Sequence, residues 1–198
     1  MSSSWRSSST PELRILITGT TGGIGGAVKR AAFAAGDEVV EVNRGDFDSF
    51  SSMWTDPMDG IVFTTGTCPV RPLTAMTDAE FEETFRVNCG LFVKLMRHVV
   101  AGKLNNPKGM KVVAISSVSA TEGWAGGTAY CASKGALSAV CRALDAELKP
   151  RKISVVALEP RYVKTRMFDA CAGRMGVDPA LAQNPDEFAK EVLNECCR

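Results

Sequence analysis

Tyr130 and Lys134 fall in the run Tyr130-Cys131-Ala132-Ser133-Lys134. They are one helical turn apart, so both side chains leave the same face of a helix. An ammonium held beside a phenol favours the phenolate, which turns tyrosine into a usable proton donor and acceptor. Ser117 stands thirteen positions before Tyr130, just past the apolar run Met110 to Ile115. Open parallel sheets bind ligands at the carboxyl ends of their strands, so a serine there can meet a helix-borne tyrosine across a cleft. Asn88 lies within a stretch, Asp78 to Val100, that reads as a helix. Each residue alone has a plainer explanation. Tyr-x-x-x-Lys pairs occur on ordinary exposed helices, serines at strand ends cap turns, and helical asparagines face water.

The elements around them narrow the choice. Leu13 to Ile17 reads as a short buried strand, followed at once by Thr18-Gly19-Thr20-Thr21-Gly22-Gly23-Ile24-Gly25 and a helix over Ala27 to Ala35 that Gly36 ends. A strand, a glycine-rich turn and a helix N-terminus form a phosphate cradle. Glycines let the backbone approach a pyrophosphate, and unpaired N–H groups with the helix dipole favour its charge. Strands follow at Glu38 to Val42, Gly60 to Thr65, Met110 to Ile115 and Ile153 to Leu158, with helices at Asp78 to Val100, Thr128 to Leu148 and Asp186 to Cys196. Pro150 closes the helix that carries the tyrosine. Strands alternating with helices predict an α/β fold, a doubly wound parallel sheet of Rossmann type.

Together these residues resemble the short-chain dehydrogenase/reductase family. Thr18-Gly19-x-x-x-Gly23-Ile24-Gly25 is similar to its cofactor motif. Asn88, Ser117, Tyr130 and Lys134 resemble its catalytic tetrad in order and spacing, and Pro160, Val163 and Thr165 resemble its Pro-Gly-x-Val-x-Thr segment after the sixth strand. The resemblance covers Leu13 to Thr165. It implies strand order 3-2-1-4-5-6, with the cofactor crossing the switch point between strands 1 and 4. It also implies cofactor contacts from Gly19, Thr21, Gly23, Ile24, Gly25 and Gly66, and from Tyr130, Lys134, Pro160, Val163 and Thr165. Helices carrying the asparagine and the tyrosine often pair between subunits in this family. Ala136, Ala139 and Ala143 would permit that approach, so a homodimer or homotetramer is an expectation.

Departures from the family pattern are equally specific. Its Asn-Asn-Ala-Gly appears as Phe63-Thr64-Thr65-Gly66, which puts the geometry of the cleft in question. Arg161 replaces the glycine of Pro-Gly, and reaches either an acidic group of a substrate, the cofactor pyrophosphate, or solvent. The stretch from Arg44 to Asp59 is too short for the usual helix and full third strand. A stub around Asp46-Phe47 and a brief turn or helix near Ser49 to Trp54 are expected, and a seventh strand is absent.

Cofactor choice rests on the end of the second strand. An acidic residue there would hold the ribose hydroxyls and repel a 2′-phosphate, but the place belongs to Asn43-Arg44. The Arg44 fork can pair with a phosphate, which favours NADP(H) over NAD(H). Arg44 as a solvated loop residue is the alternative. Asp46 resembles the family's acidic residue near the adenine, and Glu41 lies too early to reach. The resemblance then implies an oxidoreductase moving a hydride between nicotinamide and a small-molecule carbonyl or alcohol. Tyr130 would be the acid/base, with Lys134 lowering its pKa and holding the ribose. Ser117 would bind the substrate oxygen and Asn88 a water leading from Lys134 to solvent. Trp124, Tyr162, Met167 and Phe168 line a partly apolar substrate pocket or pack a lid. The alternative is a catalytically idle, NADP(H)-binding regulatory or scaffold protein on the same fold. A sugar-nucleotide epimerase would need more chain after Thr165.

Composition sets the outer limits. The chain has 198 residues and net charge +1, which implies no nucleic-acid or membrane-surface partner, and no run approaches a membrane span. Met1 to Pro11 reads as a disordered Ser-rich tail, with a short transit peptide as the alternative, and residues 12–198 as one Rossmann-type domain. Seven scattered cysteines without a Cys-x-x-Cys pair suggest reduced thiols in the cytoplasm. Cys131 is either a reactive thiol or a small packing residue, and Cys196-Cys197 reads as an exposed end. His98 is the sole histidine, so neither a His-rich metal site nor a Ser-His-Asp hydrolase is expected, and no metal is called for.

Overall fold

Alternation along each strand divides the apolar side chains between two sides of one sheet. A computed structural model describes residues 13–48, 56–102, 104 and 106–197. The Ser-rich tail and the turn expected near Ser49 to Trp54 lie outside them. The strands are β1 (Arg14–Thr18), β2 (Glu38–Val42), β3 (Gly60–Phe63), β4 (Met110–Ile115) and β5 (Ile153–Leu158), all parallel, in the order β2-β1-β3-β4-β5. Ile15 and Ile17 face one side and Leu16 the other. Val62 opposes Ile61 and Phe63 in the same way, as do Val113 and Ile115 against Val112 and Ala114. This period of two, continued on both faces, is what a sheet covered by helices on each side requires.

One face packs on α3 (Leu91–Val100) and α4 (Thr128–Leu148), and α2 (Asp78–Phe85) lies against α4. Phe92, Leu95, Met96, Val99, Leu137 and Cys141 are buried there against Phe63 and Val112. The opposite face packs on α1 (Gly23–Ala34) and α6 (Pro185–Cys197), through Val28, Phe188, Val192, Leu193 and Cys196. Full burial of each large apolar side chain is worth about 1.5–3 kcal/mol, so both layers contribute substantially. Cys196 therefore belongs to the core, against the expectation of an exposed end. Its sulfur occupies the space beside Gly60 that a Cβ would need.

The order matches positions 2-1-4-5-6 of the expected sheet, with β3, β4 and β5 as strands four, five and six. The stub expected at Asp46-Phe47 is instead a 3₁₀ turn, Arg44–Asp48. Asp46 Oδ2 accepts from Asn43 N at 2.6 Å, which curls the chain away from the sheet, and Phe47 is fully buried beneath it. Among the described residues no strand lies beyond β2 or follows β5. A further helix, α5 (Arg166–Met175), occupies the segment expected only as pocket lining. Thr165 caps its start by accepting from Phe168 N, and Gly176 ends it at φ +66. No helix among the described residues is long and apolar enough to cross a membrane.

Candidate active site

The cradle after β1 is built by close contact. Gly19 has φ +68, in the left-handed region, and a Cβ there would press on Thr65 N at 3.1 Å. A Cβ on Gly25 would strike the carbonyl oxygen of Gly19, and one on Gly23 the side chain of Thr165. Gly22 caps α1 without a side-chain partner, and the first turn carries no acidic residue. The helix therefore opens with bare N–H groups and an uncompensated positive dipole end. These residues fit a pyrophosphate.

Thr64 and Thr65 repair what the altered motif put in question. Thr18 Oγ1 accepts from Thr64 N at 3.0 Å, Thr65 N at 3.2 Å and Thr65 Oγ1 at 2.9 Å. Thr64 Oγ1 donates to Thr18 O at 2.5 Å. The ends of β1 and β3 are tied by hydroxyls where amides were expected. Gly66 follows, and a Cβ there would point toward Asn88 Oδ1 and Lys134 Nζ, at 3.5 and 3.7 Å.

Asn88 sits in a π-helical turn, Arg86–Gly90, between α2 and α3. Such turns interrupt the regular ladder and cluster at functional sites. The side chain is fully buried. Oδ1 accepts from Thr67 N at 2.7 Å, and Nδ2 donates to Thr67 O and to Ser133 Oγ, each at 2.9 Å. It thus fixes the loop after β3 against α4. Ser117, past the end of β4, accepts from Ser119 N at 3.1 Å and is hydrogen-bonded to the Tyr130 phenol. Ser117 is both a turn cap and a partner of the tyrosine.

Tyr130 and Lys134 project together from α4. Lys134 Nζ is 5.7 Å from the ring centre of Tyr130 and donates to Ile115 O at 2.7 Å. Burial pulls the lysine down to about 8. Burial also pushes the phenol up, and the bond from Ser117 offsets only part of that rise. Desolvation disfavours the charged form of both groups. Burial thus sets the direction for the phenol in this arrangement.

A cavity of about 510 Å³ joins these parts. Gly19, Thr21, Gly23, Ile24, Gly25, Arg44 and Gly66 line it, as do Ser117, Tyr130, Lys134, Pro160, Val163 and Thr165. Asp46 is absent from the lining because its carboxylate is engaged with Asn43 N. Glu41 is likewise engaged, accepting from Thr20 Oγ1 and Lys29. Arg161 lines the cavity and its fork pairs with Glu122 at 2.7 Å, bridging the loops that follow β4 and β5. Trp124, Tyr162, Met167, Phe168 and Met175 form the apolar end. Thr64, Met175, Cys68 and Cys171 in the lining, and Ser133 behind Asn88, are members that sequence reading missed. They act through contacts between distant segments, although Thr165 followed by Gly176 marks the ends of α5. No group of three or more metal-ligating side chains gathers among the described residues.

Comparison with known proteins places this geometry. Residues 48–174 match the short chain dehydrogenase family model. The chain is 28% identical to L-xylulose reductase of Bos taurus over 181 residues, covering 79% of this chain and 74% of that one. It is 27% identical to carbonyl reductase [NADPH] 2 of Sus scrofa, covering 88% and 80%. Aldohexose dehydrogenase of Thermoplasma acidophilum superposes with a TM-score of 0.77 at 17% identity, over 93% of this chain and 87% of that one. A Burkholderia cenocepacia short chain dehydrogenase in complex with NADP superposes with a TM-score of 0.76 at 18% identity, over 92% and 83%. The chain belongs to the short-chain dehydrogenase/reductase family of NAD(P)-linked oxidoreductases.

Proposed function

We propose that the protein binds NADP(H) in preference to NAD(H) and interconverts a small-molecule carbonyl and its alcohol, with Tyr130 as acid and base. The observation that carries this reading is convergence. Ser117, Tyr130 and Lys134 line one end of the cavity whose other end is the glycine cradle. When bound, the nicotinamide cofactor donates or accepts the hydride at the substrate carbon. Gly19, Thr21, Gly23, Ile24 and Gly25 would hold its pyrophosphate, and Gly66, Pro160, Val163 and Thr165, which line the same cavity, would contact the rest of it. Ser117 Oγ orients the substrate oxygen and stabilises its developing charge. Tyr130 Oη delivers the proton to that oxygen, or removes it in the oxidative direction. Lys134 would hold the ribose hydroxyls of a bound cofactor, and its charge would ease the phenol toward ionisation. Asn88 positions Thr67 and Ser133 through three side-chain bonds, and the second lone pair of its Oδ1 would accept from a water leading from Lys134 to solvent.

Preference for NADP(H) is supported by what stands at the end of β2. Arg44 is exposed on the cavity wall, while Glu41 and Asp46 are turned to Lys29, Thr20 and Asn43. A 2′-phosphate would meet a guanidinium there, with both carboxylates neutralised or turned aside. The relatives named L-xylulose reductase and carbonyl reductase [NADPH] 2 support a compact carbonyl substrate. On α4, Ala132, Ala139 and Ala143 are exposed, which supports close pairing of two subunits. Free thiols at all seven cysteines fit a reducing compartment, the cytoplasm in this proposal.

The test is a titration with NADPH and NADH followed by nicotinamide fluorescence, then a carbonyl substrate screen. Tighter binding of NADPH with Tyr130-dependent turnover supports the proposal. Equal or better binding of NADH overturns the cofactor preference. Binding without any turnover favours the idle regulatory reading, to which the engagement of Lys134 with Ile115 O lends some weight.

A further inference from the structure

We propose that Cys68 and Cys171 form a redox-active dithiol whose oxidation to a disulfide clamps α5 across the apolar end of the cavity. The two residues are 103 positions apart, yet their sulfurs lie 3.6 Å from each other. Cys68 lies in the loop after β3, and Cys171 lies on the buried side of α5. Both line the cavity, so a small oxidant entering it reaches them. The same junction is held by Arg174, whose guanidinium donates to Val70 O at 2.8 Å. Met167, Phe168 and Met175, on the same helix, face the apolar end.

The two thiols are chemically unequal. The bond to Cys68 Sγ and the nearby Arg174 cation lower the pKa of the Cys171 thiol. That same bond, together with burial, pushes Cys68 up. With the Arg174 cation beside it, Cys171 acts in this proposal as the nucleophile and Cys68 as the resolving thiol. The Cys171 thiolate attacks one oxygen of hydrogen peroxide and the O–O bond breaks, giving a sulfenic acid and hydroxide, which takes up a proton to become water. Cys68 loses its proton and attacks Cys171 Sγ, the S–O bond breaks, and a second water leaves. Two thiols lose two electrons and two protons, and peroxide gains them. Closing from 3.6 Å to the roughly 2.05 Å of a disulfide asks for a modest movement of both segments. An external dithiol reverses the reaction by exchange.

In reduced form the helix is tied to the loop only by packing and hydrogen bonds, so substrate can displace it. In oxidised form the cavity end is stapled, and exchange of substrate and product slows. The effect on turnover rests on the reductase reading above, whereas the disulfide and the clamped helix do not.

The experiment exposes the reduced full chain to a few equivalents of hydrogen peroxide at neutral pH. It then reads cross-links by mass spectrometry of a non-reducing digest, and amide hydrogen exchange across Arg166–Met175. We expect one linked peptide pair containing Cys68 and Cys171, lighter by two hydrogens, formed before any other cysteine is oxidised, with exchange in the helix slowed at least tenfold. Cys68→Ser should stop at a sulfenic acid on Cys171 that dimedone traps, and Cys171→Ser should leave Cys68 a thiol. Oxidation of other cysteines ahead of this pair, or a cross-link without slowed exchange, overturns the proposal. Turnover should fall at least tenfold on oxidation and return with dithiothreitol in the wild type alone. Absence of turnover even in the reduced protein would count against the reductase reading, and the mass and exchange results would still decide the dithiol.

Discussion

Lys134 and Ile115 are joined by a 2.7 Å hydrogen bond from the buried ammonium to the backbone carbonyl at the end of β4. The lysine thereby waits beside the cavity with its charge only partly compensated, and burial holds its pKa near about 8. The folded protein loses this proton well below the usual lysine value of about 10.4, where the unfolded chain still binds it. Between those values the unfolded state binds more protons, so stability from this group rises with pH. We expect the unfolding free energy of the wild type, relative to Lys134→Met, to increase from about pH 8 to about pH 10.4. Urea titrations of both proteins across that range check it, and a flat difference would remove the buried-ammonium argument. The same substitution should cost little stability at neutral pH while lowering turnover by about 10²-fold or more.

Tyr130→Phe removes the proton donor and keeps the ring that packs 6.3 Å from Trp124. NADPH binding should be unchanged within a factor of about two, whereas kcat should fall by about 10²–10⁴-fold. Fluorescence titration and steady-state rates measured side by side separate the two effects. Turnover near the wild-type level would sink the assignment of Tyr130.

Thr18→Val takes away one acceptor from three donors at once: Thr64 N, Thr65 N and Thr65 Oγ1. Thr18 is fully buried, so nothing replaces the lost oxygen. A loss of about 1–3 kcal/mol in unfolding free energy is expected, together with weaker cofactor binding. Thr65→Val should cost less, because Thr18 keeps its two backbone donors. Equal costs for the two variants would mean that the hydroxyl pair carries the junction.

Much of this arrangement is legible in the sequence, for identifiable reasons. The ranges of β2, β4, β5 and α4 follow directly from apolar period and from Pro150. The tetrad spacing anticipates that Ser117, Tyr130 and Lys134 meet at one end of the cavity. Other features depend on pairs that no local pattern contains. Asp46 is expected near an adenine, and its bond to Asn43 N is a local contact that the sequence reading did not contain. Thr64 and Thr65 look like a lost motif until Thr18 is set against them. Arg161 leaves three partners open, and its pairing with Glu122 at the surface is a fourth that no local pattern announces. The approach of Cys68 to Cys171 is a product of tertiary folding alone.

Gly25→Ala would bring a methyl group against the Gly19 carbonyl oxygen and Thr64 Oγ1. Because one of these is backbone, the cradle itself must shift. NADPH binding should weaken at least about tenfold, and thermal stability should fall by several degrees. Gly173→Ala is the control. It lies in α5 with open space around its Cβ direction, and the helix should gain about 0.5–1 kcal/mol. Unimpaired cofactor binding by the Gly25 variant would show that pyrophosphate is not held at this turn.

Arg44→Ala tests the cofactor preference in isolation. Loss of one charge-assisted pair corresponds to about 10–100-fold weaker NADPH binding, with NADH affected by less than about threefold. Direct titration of both cofactors reads the ratio. Parallel losses for the two would place Arg44 in loop structure rather than in phosphate recognition.

Helix α6 has a consequence for how the chain acquires its structure during synthesis. Phe188, Ala189, Val192, Leu193 and Cys196 cover Ile15, Ile17, Val28 and Val113 on one side of the sheet. Until residues 188–196 have left the ribosome, that side is covered by α1 alone, and part of its apolar surface stays open to other nascent chains or to chaperones. The opposite layer is complete far earlier, once β5 has emerged. Birth of this protein is thus lopsided, one half settled while the other is still sticky, and slow translation of α6 would prolong that exposed interval.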